Sequence, residues 1–122
     1  MNSVSIIGLS LYVFGSLYYN SYGMLIIATN GIIYHSYPHN KYLYFIDVTT
    51  NAGLFIISIY KYNFVIKYAI FALSVFLLNN NILKHNKLMC EIIHVIFVQW
   101  VGLYAILDVY NHDKCYPLLF YC

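Results

Sequence analysis

Residues 30–51 read NGIIYHSYPHNKYLYFIDVTTN and place a polar cluster between two long apolar segments. His35 comes just before a turn that contains Pro38, and Asp47 comes just after it. Proline disfavours the helical conformation at the residue before it, so a helix that approaches Pro38 should end there. A second apolar run starts at Leu43. The stretch therefore predicts two helices joined by a short turn, with polar side chains on either side of that turn.

The composition of the whole chain indicates a membrane protein. Its 122 residues are 62% hydrophobic and 8% charged, and no Lys, Arg, Asp or Glu precedes Lys41. A soluble domain carries about 25% charged residues, because a surface in contact with water needs them. The composition thus predicts a multi-pass membrane localisation, with the lipid bilayer as the main partner. The net charge of +2 comes from six lysines scattered along the chain, which excludes a nucleic-acid-binding surface.

Polar breaks between the apolar runs predict five membrane-spanning helices in one all-α domain that covers residues 1–122. Lipid offers no partner to backbone N–H and C=O groups, and long continuous apolar runs satisfy these groups as helices. The polar run Asn79–Lys87 is expected to form the clearest loop, and the apolar patch Tyr116–Tyr121 to lie at the membrane interface. The expected spans are Ser3–Tyr19, Met24–Tyr37, Leu43–Tyr60, Asn63–Leu78 and Leu88–Val109.

Small residues in the first two spans predict close helix packing, either within the bundle or in a homo- or hetero-oligomer. Glycine and serine allow helix backbones to approach each other in lipid, where van der Waals contacts drive association. The expected contact residues are Gly8, Gly15, Ser16, Ala28 and Gly31.

The three cysteines leave two alternatives open. Cys115 and Cys122 could form a disulfide if the tail faces an oxidising compartment, and Cys90 could be acylated. All three could instead be free thiols among apolar neighbours. The lysines outside the spans divide three to two between the two sides of the membrane, a margin that does not fix the orientation.

The alternation of spans brings four ionisable residues to one side of the membrane. His35 and Asp47 flank the second turn, and Glu91 and His94 lie near the start of the fifth span. On that span they begin a stripe at helical spacing that continues through Val98, Val101, Ala105 and Asp108. Ionisable groups inside spans usually face the bundle interior and indicate function. Two histidines and two carboxylates could bind a metal ion such as zinc.

Simpler interpretations of the same residues remain open. His35, Asp47 and His94 could form hydrogen bonds that only hold the helices in register, or they could lie separately among lipid headgroups. Glu91 could stabilise the N-terminus of its helix through the helix dipole.

The sequence IIYHS, with the Asp of FID twelve residues after the His, resembles the second and third helices of the CREST membrane hydrolase superfamily. That superfamily includes alkaline ceramidases and the adiponectin and progestin receptors. The resemblance implies that His35 and His94 are zinc ligands. It implies that Asp47 is the catalytic residue, which would position a zinc-bound water. The cofactor and the membrane-lipid substrate are likewise expectations from the resemblance.

This chain departs from the CREST pattern at several positions. The serine of the pattern falls on Gly31, and the second histidine of its last helix falls on Val98. The acidic motif of the first helix has no counterpart, and five spans are fewer than seven. A third zinc ligand would have to be Cys90, Glu91 or Asp47, of which Glu91 is the one expected.

Two functions are therefore predicted as alternatives. The first is a small non-catalytic membrane protein that acts in membrane or viral-envelope structure. The second is a reduced CREST-type zinc hydrolase that acts on an amide or ester of a membrane lipid. A transporter or channel is a third option, but Lys67 and Asp108 alone do not trace a polar path across the bilayer.

Overall fold

The computed structural model describes residues 3–82, 86–117 and 119–120, and all regular structure in these ranges is helical. Five helices follow one another: α1 (Ser3–Tyr18), α2 (Tyr22–Ser36), α3 (Lys41–Lys61), α4 (Val65–Ile82) and α5 (Lys87–His112). The predicted all-α fold is confirmed, and so is the number of helices. Each helix covers most of the apolar run that predicted it.

Short polar side chains fix where three of the helices begin. Ser21 precedes α2 and accepts a hydrogen bond from the Met24 amide. Asn40 precedes α3 and accepts from the amides of Tyr42 and Leu43. Asn86 caps α5 in the same way. Such residues satisfy backbone amides that have no partner inside the helix, which explains why the sequence sets these boundaries well.

The expected loop at Asn79–Lys87 is wrong in its first part, because α4 continues through the three asparagines to Ile82. The Asn79 side chain is buried and donates a hydrogen bond to the Cys90 carbonyl on α5, with the two atoms 2.8 Å apart. Asn81 donates to the Leu77 carbonyl one turn earlier in its own helix. These bonds give the amides partners within the helical hairpin, so asparagine does not end α4. Residues 83–85 lie outside the described ranges.

Helix α5 contains a π-helical turn at Val95–Gln99, between α-helical segments Lys87–His94 and Trp100–His112. A π turn holds one more residue per hydrogen-bonded ring than an α turn, so it rotates the following residues relative to those before it. The side chains after the π turn therefore point in other directions than they would on an uninterrupted α-helix.

Glycines allow the first helices and α5 to pack closely. A Cβ atom on Gly31 of α2 would lie 2.5 Å from Leu9 Cδ1 of α1, and one on Gly8 would lie 2.6 Å from Val95 Cγ1 of α5. A Cβ atom on Gly15 would likewise lie 2.7 Å from the Met24 sulfur. The small residues thus lie at helix interfaces, as the sequence predicted for Gly8, Gly15, Ser16, Ala28 and Gly31.

The described surface of the bundle is rich in large apolar side chains, and its interior holds polar residues beside the apolar core. The buried residues include eight polar ones, while many large apolar side chains point outward, among them Phe14, Phe45 and Ile56. Two of the described helices, α3 and α5, are long and apolar enough to cross a membrane by length and composition. The buried polar residues are Ser5, Ser16, Ser21, His35, Asp47, Ser58, Asn79 and Gln99.

The sequence predicted that Tyr116–Tyr121 lies at the membrane interface, and in the structure the described residues of this tail pack into the end of the bundle. Tyr116, Leu119 and Phe120 are each at most 5% exposed and belong to the main apolar core. These residues contact the start of α2, the α3–α4 turn and α5. Leu118, Tyr121 and Cys122 lie outside the described residues. Cys115 is disulfide-bonded, and Cys90 is a free thiol.

Candidate site at the His35 end of the interior cavity

A cavity of about 360 Å³ lies between α3 and the remaining helices. Its wall is mostly apolar, and α3 forms one side of it from Asp47 to Ile59. His35 and His94 line it near the turn between α2 and α3, and Val109 and Leu119 line it at the start of α2. The cavity therefore has a polar end and an apolar end, separated by roughly the length of α2.

The two histidines that the sequence selected come together at the polar end. His35 occupies the last turn of α2, and His94 is the last residue before the π turn of α5. Their ring centroids are 5.6 Å apart, and the rings meet edge to face. His35 is 5% exposed, so this contact lies inside the bundle. Phe76 of α4 packs against His94 from the other side, at 6.1 Å between centroids.

Asp47 lines the same cavity from α3, and it is buried as well. Its carboxylate accepts a hydrogen bond from the Asn51 amide one turn later, at 3.4 Å. Asn51 also lines the cavity, and its own carbonyl oxygen is buried without a hydrogen-bond partner among the described residues. The structure thus brings His35, Asp47 and His94 to one cavity and adds Asn51 to them.

Glu91, the expected third ligand, does not line the cavity. It precedes His94 by three residues, and helical geometry turns it about 60° away from the direction of His94. One of its carboxylate oxygens is buried and makes no hydrogen bond within the described part of the chain. The side chain is close to His94 in sequence, but the structure does not place it with the two histidines.

A zinc centre needs more protein ligands than the two histidines supply. Structural zinc sites take four protein ligands and catalytic ones take three. Across residues 3–82, 86–117 and 119–120, no group of three His, Cys, Asp or Glu side chains is placed to hold a metal ion together. His35 and His94 supply two imidazoles, and neither Glu91 nor Cys90 joins them.

Gln99 is a polar residue of the cavity that the sequence analysis missed. It is buried at the end of the π turn, and its side-chain oxygen has no hydrogen-bond partner among the described residues. The hydroxyl of Tyr12 on α1 donates a hydrogen bond to the Gln99 backbone carbonyl. A lone glutamine within the apolar run VIFVQWVGLY was the available signal, since polar side chains inside spans usually face the bundle interior.

The predicted stripe on α5 is confirmed only in part beyond His94: Val98 and Ala105 line the cavity, but the π turn shifts the face of the helix that follows it. Val101 and Asp108 do not line the cavity. Asp108 instead accepts a hydrogen bond from the Tyr68 hydroxyl of α4 at 2.8 Å. The residues of α5 that do line the cavity are His94, Val98, Gln99, Gly102, Ala105, Ile106 and Val109.

The cavity can hold an apolar molecule that carries one polar group. An apolar cavity of about 150 Å³ already accommodates benzene, and this one is larger. The imidazoles, the Asp47 carboxylate and the Asn51 carbonyl offer hydrogen-bond donors and acceptors at the polar end, and Gln99 and Ser58 add polar groups further along the wall. Comparisons of this chain with models of protein families, with curated proteins and with solved structures found no match.

Proposed function

We propose that this chain is a small multi-pass integral membrane protein without catalytic activity, which acts in membrane structure through its helix packing. The observation that supports this most directly is the number of large apolar side chains that the bundle exposes. Helix α3 has 21 residues, and its two buried ones, Asp47 and Ser58, are polar. Phe45 and Ile56 of the same helix are 67% and 66% exposed.

A bilayer is the environment in which this arrangement is stable. Each large apolar side chain transferred from water into an apolar medium contributes about 1.5–3 kcal/mol. The outward aromatic and aliphatic side chains of all five helices gain this free energy only if lipid surrounds them. Helices α1 and α2 have 16 and 15 residues and are therefore about 22–24 Å long. They cross a core of about 30 Å if the bilayer thins locally or the helix ends extend.

The topology gives the first testable prediction. Cysteines introduced at His39 and Lys87 should react with a membrane-impermeant thiol reagent from the same side of sealed vesicles. A cysteine at Asn63 should react from the opposite side. The reason is that alternating helices place the α2–α3 turn and the start of α5 together. Labelling after detergent permeabilisation provides the control for reactivity.

The same vesicles test whether the protein is integral at all. It should stay with the membrane after alkaline carbonate washing and leave it only in detergent. Release by carbonate, or labelling of His39→Cys and Lys87→Cys from opposite sides, would contradict the proposal.

A zinc-dependent hydrolase of a membrane lipid amide or ester is the second candidate. It is favoured by the meeting of His35, His94 and Asp47 at the polar end of a cavity that can take an apolar chain. The described residues supply two histidine ligands for the zinc ion but no third protein ligand.

Metal content separates the two candidates. The non-catalytic proposal predicts no stoichiometric zinc in protein purified without chelators, as measured by mass spectrometry. The hydrolase predicts about one zinc ion per chain. That zinc should be lost in His35→Ala and in His94→Ala but kept in His112→Ala, which changes a histidine at the other end of α5. Zinc that persists in all three variants would be adventitious and would count against the hydrolase.

A further inference from the structure

The tail is fastened to the start of α2 through the backbone of Leu119. Its carbonyl accepts a hydrogen bond from the Ser21 hydroxyl at 2.8 Å and another from the Gly23 amide at 3.2 Å. Ser21 is 1% exposed, so the first of these bonds is fully buried. Gly23 lies directly against the tail, because a Cβ atom there would be 3.2 Å from Leu119 Cα. The contact needs a glycine at this position.

Aromatic side chains hold the tail on its other sides. Tyr116 packs edge to face on Tyr62 of the α3–α4 turn, with ring centroids 5.4 Å apart. Phe120 packs on Tyr110 of α5 at 5.2 Å. The Tyr62 hydroxyl also donates a hydrogen bond to Asp113 at 3.0 Å. Desolvation raises the pKa of Tyr62, and this bond raises it further, so the phenol remains a donor at neutral pH.

The tail closes the apolar end of the cavity. Leu119 lines the cavity together with Val65 and Val109, and all three are at most 2% exposed. Towards the middle of the cavity the wall is open instead, since the lining residues Ala52, Ile56 and Leu73 are exposed. These three lie on α3 and α4, so the remaining opening faces sideways between those helices.

We propose that Tyr116, Leu119 and Phe120 form a plug that shuts the cavity against water at the end opposite His35, while the side opening between α3 and α4 stays accessible. The disulfide-bonded Cys115 lies directly before the plug in the chain. With this end closed by the tail, a molecule reaches the two histidines through the side opening between α3 and α4.

Cysteine reactivity at Val109 tests the plug. In the full-length protein in detergent, a Val109→Cys thiol should react slowly with a charged, water-soluble methanethiosulfonate. Adding Gly23→Leu should accelerate the reaction by at least about tenfold, since a side chain at Gly23 displaces Leu119 and opens the end of the cavity. Peptide mass spectrometry assigns each modified thiol. Gly53→Leu is the matched control, because a Cβ atom at Gly53 meets nothing within 4 Å.

Two further measurements keep the result interpretable if Gly23→Leu unfolds the chain. The native thiol of Cys90, at the start of α5, should keep its reaction rate when only the plug moves and should react faster on global unfolding. Phe120→Ala removes one ring of the plug together with its contact with Tyr110 and should also accelerate Val109→Cys. Rapid reaction of Val109→Cys with the tail intact would overturn the proposal. Unchanged slow reaction in both tail variants would overturn it as well. Because the assay is done in detergent, these results do not depend on the membrane topology.

Discussion

Replacing Tyr12 with alanine is expected to destabilise the folded chain by about 3–5 kcal/mol, the range for truncating a buried aromatic residue. Tyr12 is 2% exposed, belongs to the main core and lines the cavity. Its hydroxyl bonds to the Gln99 carbonyl, where the π turn of α5 ends. Truncation therefore enlarges the cavity and removes the link between α1 and the π turn. Equilibrium unfolding in detergent, followed by circular dichroism, measures the loss.

Tyr12→Phe separates the two contributions of this side chain. It keeps the ring and removes only the hydroxyl, so the expected loss is about 1–3 kcal/mol, the cost of leaving a buried polar group without its partner. If Tyr12→Phe destabilised the protein as much as Tyr12→Ala, the hydrogen bond rather than the packing would dominate. If neither variant changed stability, α1 would not pack on α5 as described.

Replacing Gly31 with leucine is expected to lower stability by about 1–3 kcal/mol, because added atoms in a packed interface force their neighbours apart. A single Cβ atom at Gly31 would already approach Leu9 Cδ1 to 2.5 Å, and Leu9 is itself buried. Leucine adds three more carbons in the same space. The melting temperature in detergent should fall accordingly. Gly15→Leu should have a smaller effect, since the flexible thioether of Met24 can move aside.

The control for Gly31 is Gly53 in α3, where an added side chain meets no atom within 4 Å. Gly53→Leu should leave stability unchanged or raise it slightly, because glycine inside a helix is less favourable than most residues. Equal losses at Gly31 and Gly53 would mean that an added leucine destabilises the bundle wherever it is placed, so the loss at Gly31 could not be assigned to the α1–α2 contact.

The sequence by itself determined the helices and most of their boundaries. The apolar runs predicted five helices, and Pro38 marked the turn after α2. These features depend on residues within a few positions of each other, so local chemistry is sufficient to predict them. Alternation of the helices also predicted that His35, Asp47 and His94 share one end of the bundle. The zinc ligand set and the catalytic role of Asp47 remain predictions.

Only the tertiary structure decided which side chains face the interior along α5 and where the tail lies. The π turn at Val95–Gln99 rotates one half of α5 against the other, and nothing in the hydrophobic spacing indicates it. As a result, Gln99 lines the cavity, and the Asp108 carboxylate accepts a hydrogen bond from Tyr68.

The tail shows the same dependence on distant contacts. Tyr116, Leu119 and Phe120 form an apolar patch in the sequence, and the start of α2, the α3–α4 turn and α5 that they contact come together only in the folded bundle. Leu119 and its partner Ser21 are 98 residues apart in the chain, too far for a local pattern to link them. Asn79 likewise stays helical because its amide reaches Cys90 on the next helix. The sequence set the helices through local backbone chemistry, whereas contacts between distant residues set the cavity and its closure.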